Sequence, residues 1–326
     1  MDMLSTLPIR RSASLINRLP EVRNASQHDR QKANWIIFGR SLSVAQLDDV
    51  DFFTGSQHLI VDCWQVGQYE IALMDGELTK EHETILQALK LDYARLDAIP
   101  DLSKPGLIVM DMDSTAIQIE CIDEIAKLAG VGDEVAEVTE RAMQGELDFE
   151  QSLRQRVSTL EGASDQILTS VRETLPLMPD LPELVNTLRA LGWKTAIASG
   201  GFTYFSDHLK QLLGLDHAQS NQLEIIDGHL TGKVLGDVVS AQTKADILRQ
   251  LATEYKIDIG NTVAIGDGAN DLVMMEAAGL GIAYHAKPTV EAQAQSAIRY
   301  SGLGGVLCIL SAGLVKQQKI SWKARP

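Results

Sequence analysis

The chain has 326 residues, with 44 acidic and 29 basic side chains and a formal net charge of −15 at pH 7. An acidic balance of this size disfavours contact with a phosphate backbone, which argues against a nucleic-acid-binding protein. A composition of 45% hydrophobic and 22% charged residues is typical of a soluble globular protein, and the length predicts two domains or three small ones.

The N-terminal part of the chain predicts a small α/β module that ends in a linker. A helix is expected between Ser12 and Leu19. Three short apolar runs are typical of strands, namely 35–38, 59–64 and 69–74. From Leu78 to Leu96 the apolar residues recur at helical spacing, which predicts a helix over that segment. The stretch 99–106 contains two prolines and a glycine, and its composition indicates a linker.

After the linker the pattern changes to a buried strand, a helical segment and then alternating strands and helices. The strand is expected at 107–110, and residues 117–175 are expected to contain only helices. Further strands are predicted at 194–198, 262–265 and 281–284, with a hairpin at 221–226 and 230–235. Further helices are predicted at 203–213, 243–255, 270–277 and 289–296. This alternation predicts an α/β fold with a parallel, doubly wound sheet and a helical insert after its first strand.

Polar residues follow the predicted strands at the sheet edge where ligands of an open parallel sheet bind. The candidate segments are Asp111-Met-Asp-Ser-Thr115, Ser199-Gly-Gly-Phe202 and Gly266-Asp-Gly-Ala-Asn-Asp271, with Lys244 in the first turn of an intervening helix. Carboxylates without a His or Cys partner are hard oxygen ligands suited to Mg²⁺. A serine before two glycines offers a hydroxyl and open backbone N–H groups to a phosphate, and a lysine near a helix N-terminus adds positive charge.

These residue types together provide what phosphoryl transfer requires. An aspartate nucleophile that faces a phosphate dianion needs the repulsion cancelled, which Mg²⁺ and Lys244 can do. The resulting aspartyl phosphate is a reactive mixed anhydride that water can hydrolyse. A second carboxylate, Asp113, can protonate the leaving alkoxide and later deprotonate that water.

The order, spacing and form of these motifs resemble the haloacid dehalogenase superfamily, and within it the phosphoserine phosphatase branch, over about residues 105–310. The resemblance implies Asp111 as nucleophile and Asp113 as general acid/base. It implies Mg²⁺ on Asp111, on the backbone carbonyl of Asp113 and on Asp267, with Asp271 in support. It also implies that the phosphate is bound by Ser199, Gly200 and Lys244, with Asn270 nearby.

The resemblance also implies a division of the chain. A Rossmann-like catalytic core is expected from residues 107–116 and 180–326, a helical cap from 117–179 and a linker at 99–106. Residues 1–98 resemble the N-terminal extension of the longer bacterial members, which has an α+β, ACT-like fold. This suggests amino-acid sensing or dimer contacts, including a homodimer, although no residue of that segment carries a specific signal for either.

Four cap residues match family positions that recognise or shield the substrate. Glu120 and Arg156 match the recognition acid and arginine, and phosphoserine has an ammonium for the first and a carboxylate for the second. Met143 and Phe149 match apolar residues that keep water from the site. A surface ion pair for the charged residues and simple cap packing for the apolar ones remain the alternatives.

The leading hypothesis is a Mg²⁺-dependent phosphoserine phosphatase, which hydrolyses O-phospho-L-serine through an aspartyl phosphate in the last step of serine biosynthesis. A phosphatase or phosphotransferase that acts on another small amino-acid phosphate, such as phosphothreonine or phosphohomoserine, fits Glu120 and Arg156 as well. A third hypothesis, an amino-acid-binding regulatory protein with a vestigial catalytic domain, is disfavoured by the intact set of motifs.

Cysteine usage and the absence of targeting patterns predict a cytoplasmic protein. The cysteines Cys63, Cys121 and Cys308 are odd in number and widely spaced, which indicates reduced thiols and neither a disulfide framework nor a zinc site. The N-terminus lacks the apolar core of a signal peptide, and the chain has no long apolar stretch that would span a membrane. We therefore expect a small-molecule substrate and neither a nucleic-acid nor a membrane partner.

Overall fold

Two β-sheets organise the protein in the computed structural model, which describes residues 7–19, 26–57 and 60–320. A five-stranded sheet belongs to the N-terminal part of the chain, and a seven-stranded sheet belongs to the remainder. Within these described ranges, no helix combines the length and the apolarity that crossing a membrane requires.

The N-terminal sheet is antiparallel, with the strand order β1-β3-β4-β2-β5. Its strands are β1 (Ile9–Arg10), β2 (Trp35–Gly39), β3 (Ile60–Val66), β4 (Tyr69–Met74) and β5 (Asp92–Arg95). Its helices are α1 (Ala13–Arg18), α2 (Gln27–Lys32), α3 (Val44–Thr54) and α4 (Lys80–Ala88). From β2 onward the order β-α-β-β-α-β is that of ferredoxin-like folds, which confirms the predicted small α+β domain. The ACT-like role in regulation or dimerisation stays a prediction.

The predicted helix over 78–96 is wrong beyond Ala88. Lys90 has a left-handed backbone with φ 56°, and the N–H of Leu91 bonds back to the carbonyl of Leu86 at 2.9 Å, so the helix ends there. The following residues form β5, which pairs with β2. Helix α3 was not predicted, because its apolar residues do not gather on one face. The predicted start of β3 at Leu59 lies outside the described residues.

The second sheet has the order β12-β11-β10-β6-β7-β8-β9, and all of its pairs are parallel except the β8–β9 hairpin. Its strands are β6 (Leu107–Met110), β7 (Lys194–Phe202), β8 (His217–Ile226), β9 (His229–Leu235), β10 (Thr262–Gly266), β11 (Leu280–Tyr284) and β12 (Ser296–Ile298). This confirms the doubly wound α/β prediction. The strand order reverses between β6 and β10, which places the binding crevice at their carboxyl ends.

Helices cover this sheet and fill the insert after β6. The insert contains α5 (Cys121–Ala129), α6 (Gly132–Met143), α7 (Phe149–Ser158) and α8 (Gln166–Glu173), as the helical pattern predicts. The others are α9 (Leu181–Ala190), α10 (Thr203–Leu213), α11 (Ala241–Glu254), α12 (Leu272–Ala277), α13 (Pro288–Glu291) and α14 (Gly304–Lys316). The predicted helix at 289–296 is wrong beyond Glu291, because residues 296–298 pair with β11 as an edge strand instead.

The two sheets share one hydrophobic core through α14, which is buried from Gly304 to Val315. This helix packs against β2, β3 and β4 on one side and against α9 on the other. Hydrogen bonds join the two parts as well. Trp64 Nε1 donates to Ser311 Oγ at 2.9 Å, and Tyr69 Oη donates to Asp180 Oδ2 at 2.5 Å. The N-terminal sheet is therefore an integral part of the packed structure.

Candidate active site

A cavity of about 140 Å³ lies where the carboxyl ends of β6, β7 and β10 meet the insert helices α5 and α7. The following predicted site residues line it: Asp111, Asp113, Glu120, Phe149, Arg156, Ser199, Gly200, Asp267 and Asn270. They come from segments far apart in the chain, and the parallel sheet brings their ends to one edge. Among the described residues, this cavity unites the carboxylates, the glycine-rich turn and the insert.

Asp111 sits directly after the central strand β6 and is held by its neighbours. Its N–H donates to the carbonyl of Ile265 on β10 at 2.9 Å, which continues the sheet pairing past the end of β6. Its Oδ1 accepts the N–H of Met112 at 2.7 Å. The side chain is buried, so the carboxylate has a fixed position at the base of the cavity.

Lys244 links two of the carboxylates and is itself fully buried. It lies in the first turn of α11, and its Nζ is 2.9 Å from Asp111 Oδ2 and 2.7 Å from Asp271 Oδ1. Burial alone would lower the pKa of Lys244, but the charges of Asp111 and Asp271 raise it, so the ammonium persists. The remaining oxygen of Asp271 accepts the N–H of Gly268 at 3.1 Å.

A group of carboxylates here can hold a metal ion. Oxygens of Asp111, Asp267 and Asp271 lie within 4.8 Å of one another. Asp267 follows β10, and its Oδ1 accepts the hydroxyl of Thr115 at 3.3 Å. Burial and then the charges of Asp111 and Asp271 raise the pKa of Asp267 to about 7. These are hard oxygen donors crowded around one point, so the cluster fits a hard divalent cation.

Asp113 has the electrostatic surroundings of a proton-transfer group. Burial, followed by the nearby carboxylates of Glu120 and Asp111, raises the pKa of Asp113 to about 8. Its Oδ1 accepts the N–H of Cys121 at 3.2 Å, at the start of α5. A carboxyl group with such a pKa can donate and accept a proton near neutral pH.

The segment Ser199–Gly201, referred to as the Ser199–Gly201 turn, is an irregular stretch within β7. The strand continues to Phe202 and does not end at Ala198 as predicted. The pairing of β7 with β8 shifts register between Ala198 and Phe202, and the Ser199 hydroxyl accepts the N–H of Gly201 at 3.0 Å. A Cβ on Gly200 would lie 2.6 Å from Cζ of Phe149, so the close approach of the insert requires glycine there.

The insert contributes Glu120, Arg156 and Phe149 to the cavity. Glu120 is the residue before α5, and its Oε1 accepts the hydroxyl of Ser114 at 2.7 Å. Arg156 lies in the last turn of α7, and its Nε is buried without a hydrogen-bond partner among the described residues. Met143 is not brought into the cavity, because its side chain at the end of α6 is 69% exposed. Its shielding role stays a prediction.

Gly201 also lines the cavity, although the sequence indicated only that the backbone of this glycine is open to a phosphate. A Cβ at this position would lie 2.6 Å from Asp113 Oδ2 and 3.3 Å from the Ser199 hydroxyl. The second glycine of the Ser-Gly-Gly segment therefore leaves the space that the Asp113 carboxyl occupies. The requirement for glycine at this position follows from the close approach of β7 to the end of β6.

Comparison with known proteins agrees with this geometry. A family model of haloacid dehalogenase-like hydrolases matches residues 105–279, and a model of a domain of unknown function (DUF5609) matches residues 31–95. The phosphoserine phosphatase of Vibrio cholerae is 71% identical over 326 residues, which cover 100% of this chain and 99% of that protein.

Solved structures give the same result. The crystal structure of a probable phosphoserine phosphatase from Vibrio cholerae, unliganded, has a TM-score of 0.90 at 71% identity and covers 99% of this chain and 100% of that one. A substrate-bound phosphoserine phosphatase has a TM-score of 0.60 at 40% identity and covers 63% of this chain and 98% of that one. The chain belongs to the phosphoserine phosphatase family of the haloacid dehalogenase-like hydrolases.

Proposed function

We propose that this chain hydrolyses O-phospho-L-serine to L-serine and inorganic phosphate in a Mg²⁺-dependent reaction, as the last step of serine biosynthesis. The observation that carries the proposal is the single cavity in which the core carboxylates and the Ser199–Gly201 turn face Glu120 and Arg156 of the insert. The identity to the Vibrio cholerae phosphoserine phosphatase over nearly the whole length supports the same substrate.

Asp111, Asp267 and the backbone carbonyl of Asp113 would hold the Mg²⁺, with Asp271 supporting the cluster. The bound cation supplies positive charge that cancels the repulsion between the carboxylates and the phosphate dianion. Lys244 already pairs with Asp111 and Asp271, so it orients the nucleophile and adds charge beside the transferred phosphoryl group.

The chemistry follows from the placement of two carboxyl groups. A carboxylate oxygen of Asp111 attacks phosphorus, and the bond between phosphorus and the seryl oxygen breaks while Asp113 gives its proton to that oxygen. Asp113 then takes a proton from water, which attacks the aspartyl phosphate and releases inorganic phosphate. Ser199 and Gly200 bind the equatorial phosphoryl oxygens throughout. Both carboxyl groups return to their starting state.

Recognition of the amino-acid head is assigned to the insert. The carboxylate of Glu120 would bind the substrate ammonium, and the guanidinium of Arg156, whose Nε has no hydrogen-bond partner in the described part of the chain, would bind the substrate carboxylate. Phe149 closes over Gly200 and excludes water from the reacting groups.

We also propose the organisation implied by the family. Residues 1–98 form an ACT-like regulatory or dimerisation domain, 99–106 a linker, 117–179 a cap and the remainder the catalytic core. The enzyme is cytoplasmic, and a homodimer is an expected oligomeric state. The outermost bounds, residues 1 and 326, lie outside the described residues.

The test is a substrate panel read as phosphate release in the presence of Mg²⁺. We expect the highest kcat/KM for O-phospho-L-serine and lower values for phosphothreonine, phosphohomoserine and p-nitrophenyl phosphate. A higher value for another amino-acid phosphate would reassign the substrate. Equal kcat/KM for p-nitrophenyl phosphate would contradict recognition of the amino-acid head. Asp111→Asn is the control, since unchanged hydrolysis would refute the nucleophile.

A further inference from the structure

Asn221 on β8 lies outside every motif of the site, yet its side chain contacts two elements that bind phosphate. The residue is only 2% exposed. Its Nδ2 donates to the carbonyl of Gly200 at 2.8 Å, and its Oδ1 accepts the N–H of Val239 at 2.8 Å. We propose that Asn221 is a positioning residue that fixes the Ser199–Gly201 turn relative to the helix that carries Lys244. This inference rests on the proposed function of that turn and of Lys244.

One of the two bonds replaces a missing backbone contact. The parallel pairing of β7 and β8 shifts register between Ala198 and Phe202, so the turn lies over an irregular stretch of the ladder. The Gly200 carbonyl, which would otherwise be left without a strand partner, takes the Asn221 amide instead. The side chain thereby orients the peptide group between Gly200 and Gly201.

The orientation of that peptide group also positions the Ser199 hydroxyl. The N–H of Gly201 belongs to the same peptide plane as the Gly200 carbonyl and donates to Ser199 Oγ at 3.0 Å. Because the hydroxyl oxygen accepts this bond, its own proton is available to a phosphate oxygen. Asn221 therefore acts on the phosphate through Ser199 without touching the substrate.

The second bond, from the Val239 N–H to Asn221 Oδ1, affects the position of Lys244. Val239 directly precedes Ser240, the N-cap of α11, whose side chain accepts the N–H of Thr243. Lys244 lies one turn further on, and its N–H bonds to the Ser240 carbonyl at 3.0 Å. Holding the Val239 N–H thus sets where α11 begins and, through this rigid first turn, where the ammonium lies. One buried amide couples two phosphate-binding groups that are otherwise on separate elements.

The experiment compares Asn221→Ala with Ser220→Ala as a matched control. Ser220 is the neighbouring residue on β8, and its buried hydroxyl has no hydrogen-bond partner in the described part of the chain. For Asn221→Ala we expect kcat/KM to fall roughly 10- to 100-fold, the scale of a misplaced catalytic group. The fall should be equal for O-phospho-L-serine and p-nitrophenyl phosphate, since both carry the same phosphoryl group.

Inorganic phosphate serves as the binding probe. Its inhibition constant should rise about tenfold in Asn221→Ala and stay within about twofold of the parent enzyme in Ser220→Ala, as expected for displaced phosphate contacts. Thermal unfolding is followed in parallel, and rates are referred to the folded fraction. A merely structural role would lower stability while leaving the phosphate inhibition constant of the folded enzyme unchanged, which would overturn the proposal.

Asn221→Thr covers the case in which Asn221→Ala does not fold. Threonine suits a strand, and its hydroxyl is too short to bridge both backbone groups. Unchanged phosphate inhibition in Asn221→Thr, or a loss restricted to O-phospho-L-serine, would overturn the proposal. If the parent enzyme cleaves p-nitrophenyl phosphate but not O-phospho-L-serine, the proposed function fails, while the p-nitrophenyl phosphate comparison still decides the role of Asn221.

Discussion

Replacing Gly201 by alanine tests the position of the general acid/base with a single methyl group. The added Cβ would lie 2.6 Å from Asp113 Oδ2 and 2.5 Å from Cε of Met112. The flexible end of Met112 can move aside. Displacing the Asp113 carboxyl is unfavourable, because its other oxygen accepts the N–H of Cys121 at 3.2 Å and this hydrogen bond would be weakened.

The expected loss of activity follows from the distance between the added Cβ and Asp113 Oδ2. Ordinary van der Waals contact begins at 3.4 Å, so the carboxyl of Asp113 must retreat by about 0.8 Å, a displacement of the size that overpacking forces on neighbours. A misplacement near 1 Å costs on the order of 100-fold in rate. We therefore expect kcat for O-phospho-L-serine to fall about 100-fold, with a loss of roughly 1–3 kcal/mol in the free energy of unfolding.

The assay combines steady-state kinetics in Mg²⁺ with urea unfolding, and Gly132→Ala is the control. A Cβ on Gly132, at the start of α6, would lie 3.8 Å from Cα of Lys127, which is ordinary van der Waals contact, so activity should not change. A folded Gly201→Ala enzyme with kcat within about threefold of the parent would contradict the expectation that a displaced Asp113 carboxyl slows proton transfer. The assignment of Asp113 as general acid/base from this geometry would then be wrong.

Removing divalent cations with EDTA should abolish hydrolysis and added Mg²⁺ should restore it; activity after complete chelation would contradict the metal cluster. Arg156→Ala should raise KM for O-phospho-L-serine far more than for p-nitrophenyl phosphate, and equal losses on both would indicate a structural role. Tyr69→Phe removes the hydroxyl that donates to Asp180 and accepts the N–H of Gly302 at 2.9 Å. It should cost about 1–3 kcal/mol in urea unfolding. Tyr300→Phe removes a more exposed hydrogen bond, to the carbonyl of Gln87, and should cost less; an unchanged free energy of unfolding in Tyr69→Phe would mean that the Tyr69–Asp180 contact adds nothing.

The motif residues could be predicted because strand order and polar strand ends carry the information locally. Asp111 and Asp267 each follow an apolar run, and a parallel sheet brings such ends together whatever the intervening sequence. The same reasoning could not find Asn221, since its role depends on a register shift between β7 and β8 that has no local signature. The exposed position of Met143 could not be predicted for a different reason, and its shielding role stays a prediction. Its match was to a family position, whereas its exposure depends on how α6 ends and turns toward α7.

Part of the acidic excess of the chain is concentrated at this site, where it affects phosphate binding. The carboxyl groups gathered there are Asp111, Asp113, Glu120, Asp267 and Asp271, of which Asp113 is the proposed proton donor, and the neighbouring cations are Lys244 and Arg156. Lys244 already bonds to two of the carboxylates, so its single charge offsets only part of the repulsion on an arriving phosphate dianion, and Arg156 is assigned to the far end of the substrate. Charges in a partly buried cavity are screened less than in bulk water, so the remaining repulsion would disfavour binding of the substrate unless a cation is bound beforehand. This arrangement of charges supports the proposed dependence on Mg²⁺.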